Sequence, residues 1–315
     1  MYDCHYDLLT YIYMNKHNLN EVKEHCNKIF NENIKGGIFN LFYMSEDEMQ
    51  AELGINSTDI DIIKNLTEVK QLIEKEKIIP EDIEYKIGIE GLDYLEKIED
   101  IDILYKLGVK SVNPVWNNHN KFGTGVRPCK IINKKNGLTS LGKQLIYKLI
   151  QKGIAIDLSH SDEQTFWDII HECRKYKNLK PKLLASHSNC RSICNVSRNL
   201  TDEQIKAIKE FEGIIGVVSI KAFCSAEKDV DYSKEYLKHI EYIKRLLGGV
   251  ENIALATDDM TYYKIEPEYY QNTNIFKQEN INNKISILLK KANFTDSEIY
   301  KIKEGNYIRF WKDVT

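Results

Sequence analysis

The chain has 315 residues, of which 42% are hydrophobic and 29% charged, a balance that fits a globular protein with a sizeable core. Its formal charge of −3 comes from interspersed acids and bases, so no basic face is available for nucleic acid. No stretch of about 18 apolar residues appears, which argues against a membrane-spanning helix.

The opening MYDCHYDLLTYIY lacks the basic and apolar regions of a signal peptide. The cysteines at 4, 26, 129, 173, 190, 194 and 224 are odd in number and form no CxxC pair, so reduced thiols in a cytoplasm are expected. With five prolines and no Gly/Ser-rich or Pro-rich linker, a single domain over 1–315 is expected.

In chain order, strands are expected near 2–7, 37–42, 85–90, 109–115, 153–159, 182–187, 213–219 and 252–257. Helical patterns separate them. Ser45 with Glu48, Ser161 with Gln164 and Thr201 with Gln204 have capping-box spacing. A helix over 91–107 is expected to stop at Gly108, and one over 232–247 at Gly248 and Gly249. Leu141, Leu145 and Leu149 predict one apolar stripe. The 43–84 connection has room for two helices, and 259–277 reads as a loop over the barrel mouth before C-terminal helices. Eight strands alternating with helices predict a single (β/α)8 TIM-type barrel, class α/β. An open doubly wound sheet is the alternative.

Ligand-type side chains fall at strand ends. His5 and Asp7 are two apart on the first strand and so share a face. Glu90 closes KIGIE, His160 follows IDLS, His187 ends LLASH and Asp258 ends ALATD. A single histidine at an element boundary carries little information. Here five separate strands deliver imidazoles or carboxylates to the face where barrel enzymes place their chemistry. Three imidazoles with two or three carboxylates exceed one open site and suit two ions roughly 3.5–4 Å apart. His17, His25, His171 and His239 lie in helical patterns and are expected to be surface or packing residues. Cys4 is expected in the layer between barrel and helices, and Cys190 and Cys194 on one helical face.

At these residues the sequence resembles the membrane (renal-type) dipeptidase family of metallopeptidases. The resemblance is strongest in GLTSLGKQLI, IDLSHSDEQTFWDII and ASHSNCRSICNVSRNLTDEQIKAI, with DCHYDL at 3–8 and GIEG at 88–91 in support. It implies a two-zinc dipeptidase in which His5 and Asp7 hold one ion, His160 and His187 the other, and Glu90 bridges them. It further implies that Arg198 grips the substrate's terminal carboxylate and that Asp258 transfers protons. The attacking group would be a hydroxide shared by the ions. The expected substrate is a dipeptide, with room for a D residue at its C-terminal position. Another divalent ion could replace zinc, and a homodimer fits the family.

Two departures stand out. Where many members have a histidine after the fourth strand, PVWNNHN places Trp116, with Asn117 and His119 close by. Trp116 and His119 are therefore the expected substrate-contacting residues there. ATDDMT lacks the usual second acid and glycine, which makes Asp259 an alternative to Asp258. The rival expectations are a related amidohydrolase acting on another small amide or lactone, and a non-catalytic descendant of the barrel.

Overall fold

The computed structural model describes residues 1–43, 60–127, 136–259, 273–276 and 280–312. Each apolar run becomes a strand: β1 (Tyr2–Tyr6), β2 (Gly36–Phe42), β3 (Glu84–Glu90), β4 (Val109–Asn113), β5 (Ala155–Asp157), β6 (Leu183–Ala185), β7 (Ile214–Val218) and β8 (Ile253–Ala256). Every strand pairs in parallel with the next, in the order β1 to β8. Helices occupy the crossovers, giving the expected (β/α)8 barrel.

The last strand meets the first through a seam that side chains help to close. Asp258 N–H donates to the His5 carbonyl at 3.1 Å. Asp3 Oδ1 accepts from Thr257 N–H at 3.0 Å and from His5 N–H at 3.1 Å. Asp3 Oδ2 accepts from the Thr257 hydroxyl at 2.5 Å.

Among the described residues the main helices are α1 (Leu8–Met14), α2 (Leu19–Asn31), α3 (Ile62–Glu76), α4 (Ile101–Lys106), α5 (Ser140–Lys152) and α6 (Glu163–Lys175). After them come α7 (Asp202–Glu210), α8 (Lys221–Cys224), α9 (Tyr232–Leu247), α10 (Ile281–Lys291), α11 (Asp296–Tyr300) and α12 (Asn306–Trp311). Thr201 and Gln204 form the expected reciprocal cap of α7, and Gly248 ends α9 in the left-handed region at φ 74°. No helix among the described residues is long and apolar enough to cross a membrane.

The barrel interior is a compact apolar cluster with Cys4, Ile38, Leu184, Ile214, Val218, Ala254 and Ala256 at its centre. Tyr307, Phe310 and Trp311 of α12 plug its lower end, with Tyr307 stacked on Tyr2 at 4.4 Å. Higher up, the lining turns small and polar. A Cβ at Gly88 would lie 1.9 Å from Asn40 Oδ1, so β3 leaves the space that the β2 amide fills.

Several expectations are corrected. Cys4 faces the barrel interior, not the helix layer. The β1–β2 register shifts between Asp3 and Tyr6, so simple alternation fails and Cys4 and His5 both turn inward. The 91–107 helix is replaced by turns, starting with Gly91 at φ 78°, and a short 3-10 segment before α4. Asp162, not Ser161, caps α6 by accepting from Thr165 N–H at 2.7 Å. Leu141 is exposed, and the buried stripe of α5 runs through Leu145, Ile146, Leu149 and Ile150. Cys190 and Cys194 sit in a turn, with Cys194 N–H donating to the Cys190 carbonyl. His239, expected as a surface or packing residue, does pack in the core, accepting from Cys190 N–H at 3.1 Å while its Nε2 meets the Cys224 carbonyl at 3.0 Å. Cys129, the Ser45–Glu48 pair and most of the 259–277 loop lie outside the described residues.

Candidate metal centre

The carboxyl ends of the strands bring their ligand types together. His5 keeps the inward face that alternation gives it, and Asp7 follows where the strand ends. Glu90 is the last residue of β3. His160 stands three residues beyond β5 and His187 two beyond β6, each in a tight turn. Asp258 follows β8. His5, Glu90 and His187 offer ligand atoms within 4.8 Å of one another, as do His5, Asp7 and Asp258. His160 joins the first group, with Nε2 at 2.7 Å from His187 Nε2 and 2.9 Å from Glu90 Oε1.

Glu90 divides its two oxygens. Oε2 faces His5 Nε2 at 3.2 Å, whereas Oε1 faces His160 Nε2 at 2.9 Å and His187 Nε2 at 3.4 Å. Asp7 Oδ1 lies 3.5 Å from His5 Nε2 and Asp258 Oδ1 lies 3.9 Å from it. Two of the residues hold left-handed backbones, with φ at 69° in His160 and 47° in Asp258. Such a conformation is costly for an L-residue and persists where surrounding bonds fix it. Around His160 those bonds are Val126 N–H to its carbonyl at 2.9 Å and Ser161 N–H to Leu158 at 3.2 Å.

Burial shapes the electrostatics. It pushes Glu90 up to about 7 and raises Asp258 above the ordinary carboxylate range. Burial also works against a charged His5, yet the Glu90 and Asp7 carboxylates outweigh it and hold His5 well above the usual imidazole range. His160 and His187 are driven well below that range, first by burial and then by the positive charges of Arg198 and His5. These two rings are therefore neutral and present lone pairs.

This donor set fits divalent cations. Neutral imidazole nitrogens and carboxylate oxygens are the preferred ligands of zinc-like ions. His160 Nε2 and His187 Nε2 lie 2.7 Å apart and face one carboxylate oxygen, and with their ring hydrogens on Nδ1 they would offer two lone pairs to a cation. Asp7 Oδ1 is buried and accepts no hydrogen bond from the described residues.

Arg198 reaches the same place. Its Nη2 lies 3.1 Å from His160 Nε2 and 3.4 Å from the His187 carbonyl, and its guanidinium rests 5.2 Å above the Phe223 ring. Trp116 stands 5.8 Å from the His160 ring and 5.0 Å from Phe42. His119 has a different setting, with Nδ1 at 3.3 Å from Thr124 Oγ1 inside its own loop. Asp258, not Asp259, stands with His5 and Asp7.

An outer row of side chains escaped the sequence reading. Asn117 Oδ1 meets His160 Nδ1 at 2.7 Å. Ser186 Oγ meets both His5 Nδ1 at 2.9 Å and His187 Nδ1 at 2.7 Å. Asn40 Nδ2 reaches His5 Nδ1 at 3.0 Å. Asn40 had a usable signal, being the lone polar residue of GGIFNLF in a strand buried throughout. Ser186 and Asn117 each neighbour a residue already singled out, but their reach depends on turns that spacing alone does not define.

A parallel barrel with buried imidazoles and carboxylates at the carboxyl ends of its strands has the architecture of a metal-dependent barrel hydrolase. The family model for membrane dipeptidases, peptidase family M19, matches residues 1–315, and the chain belongs to that family. It is 35% identical over 156 residues to the uncharacterized protein in the pqqA 5′ region of Klebsiella pneumoniae, a match covering 48% of this chain. The chain spans about half the length of that relative, 55%. Among solved structures, the dipeptidase AC of family M19 superposes with a TM-score of 0.74 at 17% identity, covering 99% of this chain and 97% of that one. A metallopeptidase from Rhodobacter sphaeroides, liganded with a phosphinate mimic of the dipeptide L-Ala-D-Ala, also gives 0.74, at 18% identity and with 100% and 99% covered.

Proposed function

We propose that the protein is a binuclear zinc dipeptidase acting in the cytoplasm. The observation that carries this reading is the divided Glu90 carboxylate, one oxygen toward His5 and the other toward His160 and His187. His5 and Asp7 would hold one ion, His160 and His187 the second, with Glu90 between them. Two divalent ions so held supply Lewis acidity to a scissile carbonyl and lower the pKa of water toward about 7.

The chain's own residues account for the rest. The Arg198 guanidinium, supported by Phe223, donates to the free carboxylate of a dipeptide in a bidentate fork. That grip fixes how far the scissile carbonyl reaches toward Glu90. Asp258 stands beside His5 with a side chain 13% exposed, so it can take a proton from water and return it to the leaving amine. Trp116 walls the site near His160, and its indole N–H can donate but cannot accept a proton. His119, in the same loop, is the second substrate-contacting candidate. The L-Ala-D-Ala mimic in the Rhodobacter sphaeroides relative supports acceptance of a D residue at the C-terminal position. The free, buried thiols of Cys4, Cys26, Cys173, Cys190, Cys194 and Cys224 suit a reducing compartment.

The test is hydrolysis of a dipeptide panel with L or D second residues, run with and without added zinc, beside metal analysis. Zinc-dependent cleavage with about two ions per chain is expected. Fewer than about one ion per chain, or a fully loaded protein inert to the whole panel, would overturn the reading.

A further inference from the structure

Ser186 follows β6 and is fully buried. Its N–H donates to Asp157 Oδ1 at 2.9 Å, an oxygen that also receives Ser159 N–H at 3.0 Å. The Ser186 backbone is therefore fixed from inside the barrel. Its hydroxyl oxygen lies within hydrogen-bond distance of two imidazoles, His5 and His187, whose rings sit 3.7 Å apart at 41°. Both rings have Nδ1 on Ser186 and Nε2 toward Glu90.

A neutral imidazole has one N–H. A ring that gives its Nε2 lone pair to a cation must carry that hydrogen on Nδ1, and an acceptor there sets the ring's orientation and basicity. A serine oxygen has two lone pairs and can accept two such bonds at once. We infer that Ser186 Oγ is a shared positioning acceptor, one oxygen orienting a ligand of each metal position and so coupling the two. This rests on the two-ion reading above, in which His5 and His187 serve different ions. Asn117 does the equivalent for one ring only, His160. His5 Nδ1 also faces Asn40 Nδ2 at 3.0 Å, and a ring N–H there requires the Asn40 amide turned so that its oxygen accepts, whereas His187 Nδ1 has no partner beside Ser186 among the described residues.

The experiment titrates zinc into the metal-free full chain against a competing chelator, comparing wild type with Ser186→Ala, Ser186→Cys, Ser186→Thr and Asn117→Ala. Thermal unfolding of each metal-free variant separates a damaged fold from a damaged site. Loss of an outer partner typically weakens metal binding about 10–100-fold. Ser186→Ala is expected to weaken both ions by that order, more strongly at the His160/His187 position, which has no substitute for the lost acceptor. Ser186→Cys keeps the packing with a poor acceptor and should follow Ser186→Ala. Ser186→Thr keeps the hydroxyl and should restore both affinities. Asn117→Ala should weaken one ion alone. Wild-type affinity for both ions in Ser186→Ala or Ser186→Cys would overturn the inference, as would weakening confined to one position. A wild type that binds a single ion would instead overturn the two-ion reading, and the coupling with it.

Discussion

The seam between β8 and β1 can be tested by comparing Asp3→Asn with Asp3→Ala. Two of the amide bonds at the seam, from His5 N–H and Thr257 N–H, end on Asp3 Oδ1, and the Thr257 hydroxyl ends on Oδ2. Asparagine keeps the carbonyl oxygen for the two amides and turns an N–H toward the hydroxyl, which can accept. Alanine leaves both amides unpaired at a position only 4% exposed. Each buried, unpaired N–H costs about 1–3 kcal/mol, so Asp3→Ala should be less stable than Asp3→Asn by about 2–6 kcal/mol. Neither variant buries a charge, so their difference reports the lost hydrogen bonds, the Thr257 hydroxyl contact included, without a charge contribution.

Wild type adds a pH term. Burial raises Asp3 to about 6, against about 3.9 in an unfolded chain. A raised carboxyl stabilises the fold while protonated, below the unfolded value, and that contribution is lost as pH rises through about 6. Wild type should therefore lose about 3 kcal/mol relative to Asp3→Asn between pH about 4 and about 6. Urea unfolding of the metal-free proteins across that range measures both effects. Asp3→Ala and Asp3→Asn agreeing within about 1 kcal/mol would refute the hydrogen-bond argument. A gap between wild type and Asp3→Asn that ignores pH would refute the charge argument.

Other consequences are as direct. Arg198→Lys loses the fork and the Phe223 stack, so KM for a dipeptide should rise about 10–100-fold with a smaller change in kcat; an unchanged KM in steady-state assays would remove Arg198 from carboxylate recognition. Chelation should abolish hydrolysis while the barrel stays folded by circular dichroism, and zinc should restore activity; activity that survives exhaustive chelation contradicts the metal-dependent reading. His239, lowered to about 4 chiefly by burial, contributes stability that is present above the unfolded value of about 6.5 and lost as pH falls toward its own. Replacing it with Gln should flatten that acid slope in denaturation curves, while costing stability at neutral pH because the Cys190 and Cys224 backbone groups lose their partner.

The fold was legible because each strand is a short apolar run between helical patterns, and the ligand set because its members end those runs. What escaped depends on geometry that period-2 reasoning does not carry. The register shift in β1 turned Cys4 inward and left His5 where alternation had also put it, so the ligand prediction held although the packing prediction beside it failed. Ser161 has capping-box spacing, but the left-handed turn at His160 moves the cap to Asp162. Ser186 and Asn117 gain their importance from neighbours distant in the chain, His5 at 181 positions from one and His160 at 43 from the other. Asn40 was the one outer partner with a sequence signal, a lone amide in a hydrophobic strand.

The left-handed backbones of His160 and Asp258 set stability against function. Each holds an L-residue where glycine would rest at lower energy by about 1–2 kcal/mol. A screen that rewarded heat resistance alone would enrich glycine at both positions. The hardier proteins it returned would have lost an imidazole and a carboxylate from the barrel mouth, so thermal selection on this scaffold needs activity as a second criterion.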